Sequence, residues 1–531
     1  MRYVLITSFF IITFVSIHSC KQSMKLETTT ASETPIVFTP DIPVDVDPAE
    51  QEKLKGLNDN YFALNQAFNM FSWQAFVAIF WPRDEQGQPM PNFTDDGKPT
   101  WLGWKEAFEV YKPDGGTPAP WGSPRVESNP ILKANNINPE AHVRVFLSTS
   151  TPAHKGLTKN VANEVDQAFA GKLFDQQGNT VYYEVLMNKE EFDYLVANQL
   201  YNINGQIDFS KKNQIANFPK GDFVSKQVGA VEIKFAWKIM TDADIKERYY
   251  INEGFVIDET TQKPVKKELG MIGFHISQKT PTGKQWVWST FEHIDNLDQN
   301  TMDQDGRKKP IHPSLTDPNC EICPVNIDVS NGSDTFTYIA KSNTNPHSSY
   351  WKVTNDPHKY YANSDVMKTQ AKRMIDIPIR VQQLNKALQA YFKSQNSVWQ
   401  YYQLIDTQYP TDQNVAPGDS TVANYSLPTS ITNKPGGNPN LTYLTNISME
   451  TFFQGGNQSA SAFMENNPAS DITVFGTESC MGCHSSAGIY TGFNSSGFTQ
   501  GLQLSGDFSW LLSTKAQWNK NIAPYPAFKS K

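Results

Sequence analysis

Five cysteines in 531 residues are too few for a fold built on disulfides, and they fall as Cys20, Cys320 with Cys323, and Cys480 with Cys483. There is no glycine-rich phosphate loop and no Ser-x-Gly nucleophile elbow, so neither a nucleotide cradle nor a serine hydrolase site is encoded. Lys and Arg are scattered and the formal net charge is −8. That balance argues against nucleic acid as a partner and disfavours anionic lipid surfaces, both of which demand clustered cations. The apolar run Val4–Val15 is shorter than the roughly 20 residues a bilayer-spanning helix needs. The last absence is the most specific: none of the 47 residues after His484 is a methionine or a histidine.

What is present describes a globular chain, with 12% aromatic and 19% charged residues. The opening "MRYVLITSFFIITFVSIHSC" reads as an export signal over residues 1–20. Its ending, with Ile17 and Ser19 before Cys20, predicts lipidation of Cys20 and a lipid anchor on the outer side of a bacterial envelope membrane. Residues 21–50, rich in Thr, Pro and acidic side chains without period, read as a flexible tether. A large body follows over 51–410, then a Pro, Gly and Asn-rich linker or long loop over 411–440, then a C-terminal segment over 441–531.

Within the body, "NDNYFALNQAFNMFSWQAFVAIFWP" has helical spacing and stops at Pro82. Shorter helices are predicted over Val161–Phe174 and Lys189–Leu200, and a longer one from Pro378 with Ile377, Val381, Leu384, Leu388 and Tyr391 inward. "HVRVFLST", "AVEIKFAWKIM", "RYYINEGFVID", "LGMIGFHISQKT" and "QWVWSTFEHID" alternate apolar and polar residues as strands do. The fold class is therefore α+β: a β-rich body with flanking helices and a mainly helical or irregular C-terminal segment. Glu232, Lys234 and Lys238 share one strand face and are expected to form cross-strand ion pairs on a wet surface, with an interior ionic patch as the alternative.

The chemistry sits in "ESCMGCHSS". Cys480, Cys483 and His484 form Cys-x-x-Cys-His, in which two thiols span the porphyrin vinyl groups and the next histidine meets the iron. One covalent haem c is expected, attached at Cys480 and Cys483 and ligated by His484. The competing readings are a local disulfide or half of a zinc site, for which no fourth ligand is evident. Cysteine use is complete: one for lipid, two for haem, and Cys320 with Cys323 as a local disulfide, since Pro324 stands where a second haem histidine would be. A second axial group must come from upstream. Candidates are Met464, with Met449 as a neighbour, and the strand histidines His275, beside Gly273, and His293.

The motif resembles that of c-type cytochromes. "FSWQAFVAIFWP", "AVEIKFAWKIM" and "WVWSTFEHIDN" give the chain a resemblance to large bacterial monohaem cytochromes that carry the motif in a C-terminal segment after a long non-haem body. The resemblance implies that architecture, and only the motif carries a transferable role. Three functions follow as expectations: electron transfer to or from a redox partner protein, a haem-dependent redox enzyme with a pocket built by the body, or a haem-based ligand sensor.

Overall fold

Pro82 closes the most apolar helix among the described residues, because a proline has no N–H to donate and its ring collides with the preceding turn. In the computed structural model this helix, α2, covers Asn60–Ile79 and follows a short α1, Pro48–Lys55. The model describes residues 36–57, 60–125, 171–258, 263–297, 313–317, 368–410, 444–453, 480–484, 487–493, 499–503 and 505–524, with a few short pieces between them.

Phe38–Lys531 is organised around one eight-stranded sheet. Its strands are β1 (Lys105–Glu106), β2 (Val145–Phe146), β3 (Tyr182–Met187), β4 (Val231–Ile239), β5 (Ile251–Ile257), β6 (Pro264–Gln278), β7 (Val287–His293) and β8 (Tyr402–Gln408). The order is β8-β7-β6-β4-β3-β1, with β5 beside the first half of β6 and β2 parallel to β5; the remaining pairs are antiparallel. A bulge between Met271 and Gly273 divides the long β6, so that β5 and then β7 use the same edge of it. The remaining helices used below are α3 (Ala107–Val110), α4 (Lys189–Ala197), α5 (Ile203–Lys211), α6 (Ile379–Ser394), α7 (Cys480–His484) and α8 (Leu511–Lys515), with a C-terminal hairpin of β9 (Gly488–Phe493) and β10 (Thr499–Gln503). The fold is α+β, as composition and alternation predict.

One sheet face is aromatic. Phe235, Phe274 and Phe291 meet α2, with Phe80 5.0 Å from Phe274, Phe76 4.6 Å from Phe291 and Trp73 5.0 Å from Phe291, centroid to centroid. Each of these side chains is buried, and burying a phenyl ring contributes roughly 1.5–3 kcal/mol. Ser72 is fully buried in the same interface and shares hydrogen bonds of 2.6 Å with both Ser289 and Thr407.

The edge strand β8 is closed by α6. Asn385 donates to Leu404 O at 2.7 Å and accepts from Leu404 N–H at 3.0 Å, while Gln389 donates to Tyr402 O at 3.0 Å. The inward face of α6 is thus Val381, Asn385, Leu388, Gln389 and Phe392, rotated from the apolar stripe in the sequence because amides are needed against the strand edge. Residues 38–50, read as tether, are packed: Phe38, Val44, Asp45 and Val46 are buried, and Asp45 accepts from Thr282 N–H at 2.8 Å. The helix expected over Val161–Phe174 is replaced, where described, by the paired strands Asp166–Gln167 and Gly171–Lys172. Among the described residues no helix is long and apolar enough to cross a membrane.

Candidate functional site

The second sheet face carries polar side chains and is covered by the C-terminal elements. Strand alternation puts Glu232 and Lys234 of β4, Gly273 and His275 of β6, Trp288, Thr290 and Glu292 of β7 and Gln408 of β8 on this side. Two pieces of chain lie across it. The turn 444–450 is fastened by Asn446 to Thr290 Oγ1 and Phe291 O, both at 2.8 Å, and by Ile447 N–H to Glu292 at 2.6 Å. The helix α7 is fastened by Met481 N–H to Gln408 Oε1 at 2.8 Å. Met481 is itself buried in an apolar cluster with Trp288, Ile489, Phe508 and Leu512. Of the ionic face of β4, Glu232 and Lys234 are half-buried and Lys238 is buried and pairs with Asp244 at 2.6 Å, so the interior alternative fits better than a wet surface.

In α7, Cys480 and Cys483 stand three residues apart on one helix face, and their thiols are not bridged. Burial, with the Glu450 carboxylate nearby, pushes the Cys480 thiol well above its ordinary range. A redox-active Cys-x-x-Cys depends on the opposite shift, toward thiolate. The third motif residue is the best defined. Its Nδ1 lies 2.8 Å from the carbonyl oxygen of Phe508, and its ring packs 4.5 Å from Trp288. A carbonyl only accepts, so Nδ1 carries the proton and donates, leaving Nε2 of His484 with its lone pair. Burial holds the imidazole neutral by lowering its pKa to about 4.

That carbonyl is aimed by an unusual turn. Asp507 (φ 46°) and Phe508 (φ 67°) are consecutive left-handed residues, a conformation that side chains with a Cβ disfavour. The turn is held because Asp507 is buried in an ion pair with Lys279 and accepts from Phe218 N–H at 2.6 Å and Trp286 Nε1–H at 3.4 Å. Gly506 allows close approach: a Cβ there would lie 2.8 Å from Gly488 N.

Beside the motif sits a second group. His275 Nε2 is 3.5 Å from Glu450 Oε2, which also accepts Asn446 N–H at 2.8 Å. Burial works to raise the Glu450 carboxyl, but His275, Lys234 and the Asn446 N–H together hold it below its usual value. The fields of Lys234, His275 and Glu450 all reach His484. Of the two strand histidines, then, only His275 neighbours the motif.

His293 is elsewhere and fully committed. It stacks on Tyr249 at 4.0 Å, its Nε2 meets Arg248 O at 2.9 Å, and its Nδ1 accepts Asp295 N–H at 3.1 Å. Burial lowers its pKa to about 4, so it is a neutral structural histidine with neither nitrogen left for iron. The space expected beside Gly273 is filled: a Cβ there would lie 2.0 Å from Ser448 Oγ. Met449 is buried against Ile272 and Ile447. Met464, Cys20, Cys320 and Cys323 lie outside the described residues.

The donor set fits haem. Among the described residues no three His, Cys, Asp or Glu side chains converge as a bare metal cage requires. A porphyrin supplies four of its iron's ligands itself and asks the chain for one histidine and two reduced thiols. The sequence motif announces those three residues; Phe508, Asp507 and Glu450 carry no signal in it, because their roles arise only when distant segments meet. No protein-family model, curated protein or solved structure matches the chain.

Proposed function

We propose that the chain holds one haem c through Cys480 and Cys483, with His484 on the iron, and transfers electrons with a partner protein in the bacterial cell envelope, anchored by lipid on Cys20. The observation that carries this is the His484 Nδ1 to Phe508 O hydrogen bond of 2.8 Å. It sets the ring tautomer and orientation, as a neighbouring acceptor does for a metal-bound histidine. When bound, haem supplies a centre that gains and loses single electrons. The chain's part is to hold His484 neutral and aligned, to present both thiols on one helix face, and to pack Trp288, Phe508 and Met481 against the motif.

The test uses protein produced in a host that matures c-type haem. A denatured sample should retain haem by mass and give a pyridine haemochrome, and Cys480→Ala with Cys483→Ala should abolish both signals. A bare chain mass from such a host refutes the reading.

A second reading, a haem-dependent redox enzyme, is favoured by one observation: Lys234, His275 and Glu450 set acid and base groups within the field of His484. An iron signal that changes on adding cyanide would favour it. A low-spin signal indifferent to cyanide would favour electron transfer.

A further inference from the structure

Glu191 is a carboxyl that the site does not use. It lies on α4, fully buried, and among the described residues neither of its carboxyl oxygens has a hydrogen-bond partner. Its electrostatic neighbours are two more acids, Glu232 of β4 and Asp507. A second orphan faces the same place: the Tyr111 hydroxyl, fully buried just after α3, has no partner among the described residues and feels both Glu191 and Glu232.

The cations nearby are already engaged. Lys279 pairs with Asp507, and Lys234 stands between Glu232 and the Glu450–His275 pair. Tyr194, on the same helix as Glu191, is turned to Asn217 N–H. Glu191, buried and without a donor to either oxygen among the described residues, keeps its proton, whereas Glu232, half-buried and bonded by Ser509, is the member of the pair that can ionise. Burial raises Glu191 well above the ordinary carboxyl range and Glu232 to about 7.

The pair is joined to the motif by one turn. Glu232 Oε2 accepts from Ser509 Oγ at 2.9 Å, and the preceding residue, Phe508, gives its carbonyl to His484. We infer that Glu191 and Glu232 are a proton-holding pair that takes a proton from solvent when the centre at His484 accepts an electron from its redox partner, and returns it when the electron leaves. The reason is charge: an added electron makes this interior more negative, and in a low dielectric a proton taken up by a carboxyl pair joined to the motif's turn offsets it. The inference rests on the haem reading above.

The test is the midpoint potential of the full haem-bearing chain from about pH 5 to 9. The potential should fall as pH rises through neutrality, by at most one proton per electron. Glu232→Gln and, separately, Glu191→Gln should flatten that slope. Ser509→Ala, which removes a bond that favours the ionised form, should keep the slope and move its inflection to higher pH. An infrared redox difference spectrum should show a protonated carboxyl band that both Gln variants lose. A flat profile, or a slope unchanged in both Gln variants, overturns the inference while leaving the haem reading intact; a chain without haem overturns the linkage together with that reading.

Discussion

Asp507 is where a single substitution should tell most about how the turn on His484 is held. Asp507 and Lys279 are 0% and 1% exposed and pair directly. Burial pushes the Asp507 carboxyl up to about 6 against the pull of Lys279, so it is ionised at neutral pH. Asp507→Ala therefore strands a buried ammonium, for which the expected loss is about 3–5 kcal/mol. Lys279 keeps one acceptor, Asn217 Oδ1 at 2.6 Å, which argues for the lower half of that range. Phe218 N–H and Trp286 Nε1–H lose their acceptor as well. The double variant Asp507→Ala with Lys279→Met removes the stranded charge and should regain at least about 2 kcal/mol. The assay is urea unfolding followed by tryptophan fluorescence, to which Trp286 reports from beside the pair. If the double variant is no more stable than Asp507→Ala alone, the cost does not come from an unpaired Lys279 and the electrostatic account of this turn fails.

Gly273→Ala should drive a Cβ into Ser448 Oγ, 2.0 Å away, and lift the turn that carries Glu450, at a cost of about 1–3 kcal/mol; thermal unfolding should show partial rescue by Ser448→Ala. Burial raises the Asp406 carboxyl to about 6 against bonds from Thr407 and Asn65. Because the native state binds that proton more tightly than the unfolded chain, stability from this group is full at acidic pH and is lost as pH climbs toward 6. Asp406→Asn keeps the Oδ1 acceptor used by both donors, so it should gain about 1–3 kcal/mol at pH 8 and nothing at pH 4; equal gains at both would sink the assignment. Tyr402→Phe strips a hydroxyl that donates to Met271 O and accepts Tyr250 N–H, both at 2.9 Å. Denaturation midpoints should fall by an amount equivalent to about 1–3 kcal/mol.

The parts of the fold that were legible are those set by local period. Phe68, Phe71, Ala75 and Ile79 lie on α2, and the alternation of "AVEIKFAWKIM" and "LGMIGFHISQKT" does place Phe235, Phe274 and Ile276 together. What alternation leaves open is which of two polar-looking faces meets water. Glu232, Lys234 and His275 are covered only because residues some two hundred positions later fold over them. The stripe of α6 misleads for a related reason: Asn385 reads as a surface residue until a strand edge needs its amide. In the site itself, the three motif residues are plain in the sequence, whereas the carbonyl that orients His484 depends on two left-handed residues, Asp507 and Phe508, neither of them glycine.

The amide clasp between α6 and β8 also bears on how this protein behaves when crowded. Open rows of strand N–H and C=O groups invite a neighbouring chain to dock and extend the sheet, the first step of ordered aggregation. Asn385 and Gln389 occupy that row at Leu404 and Tyr402, so molecules at high concentration are denied strand-to-strand polymerisation at this flank. Swapping Asn385 for leucine would preserve an oily helix face while reopening that route.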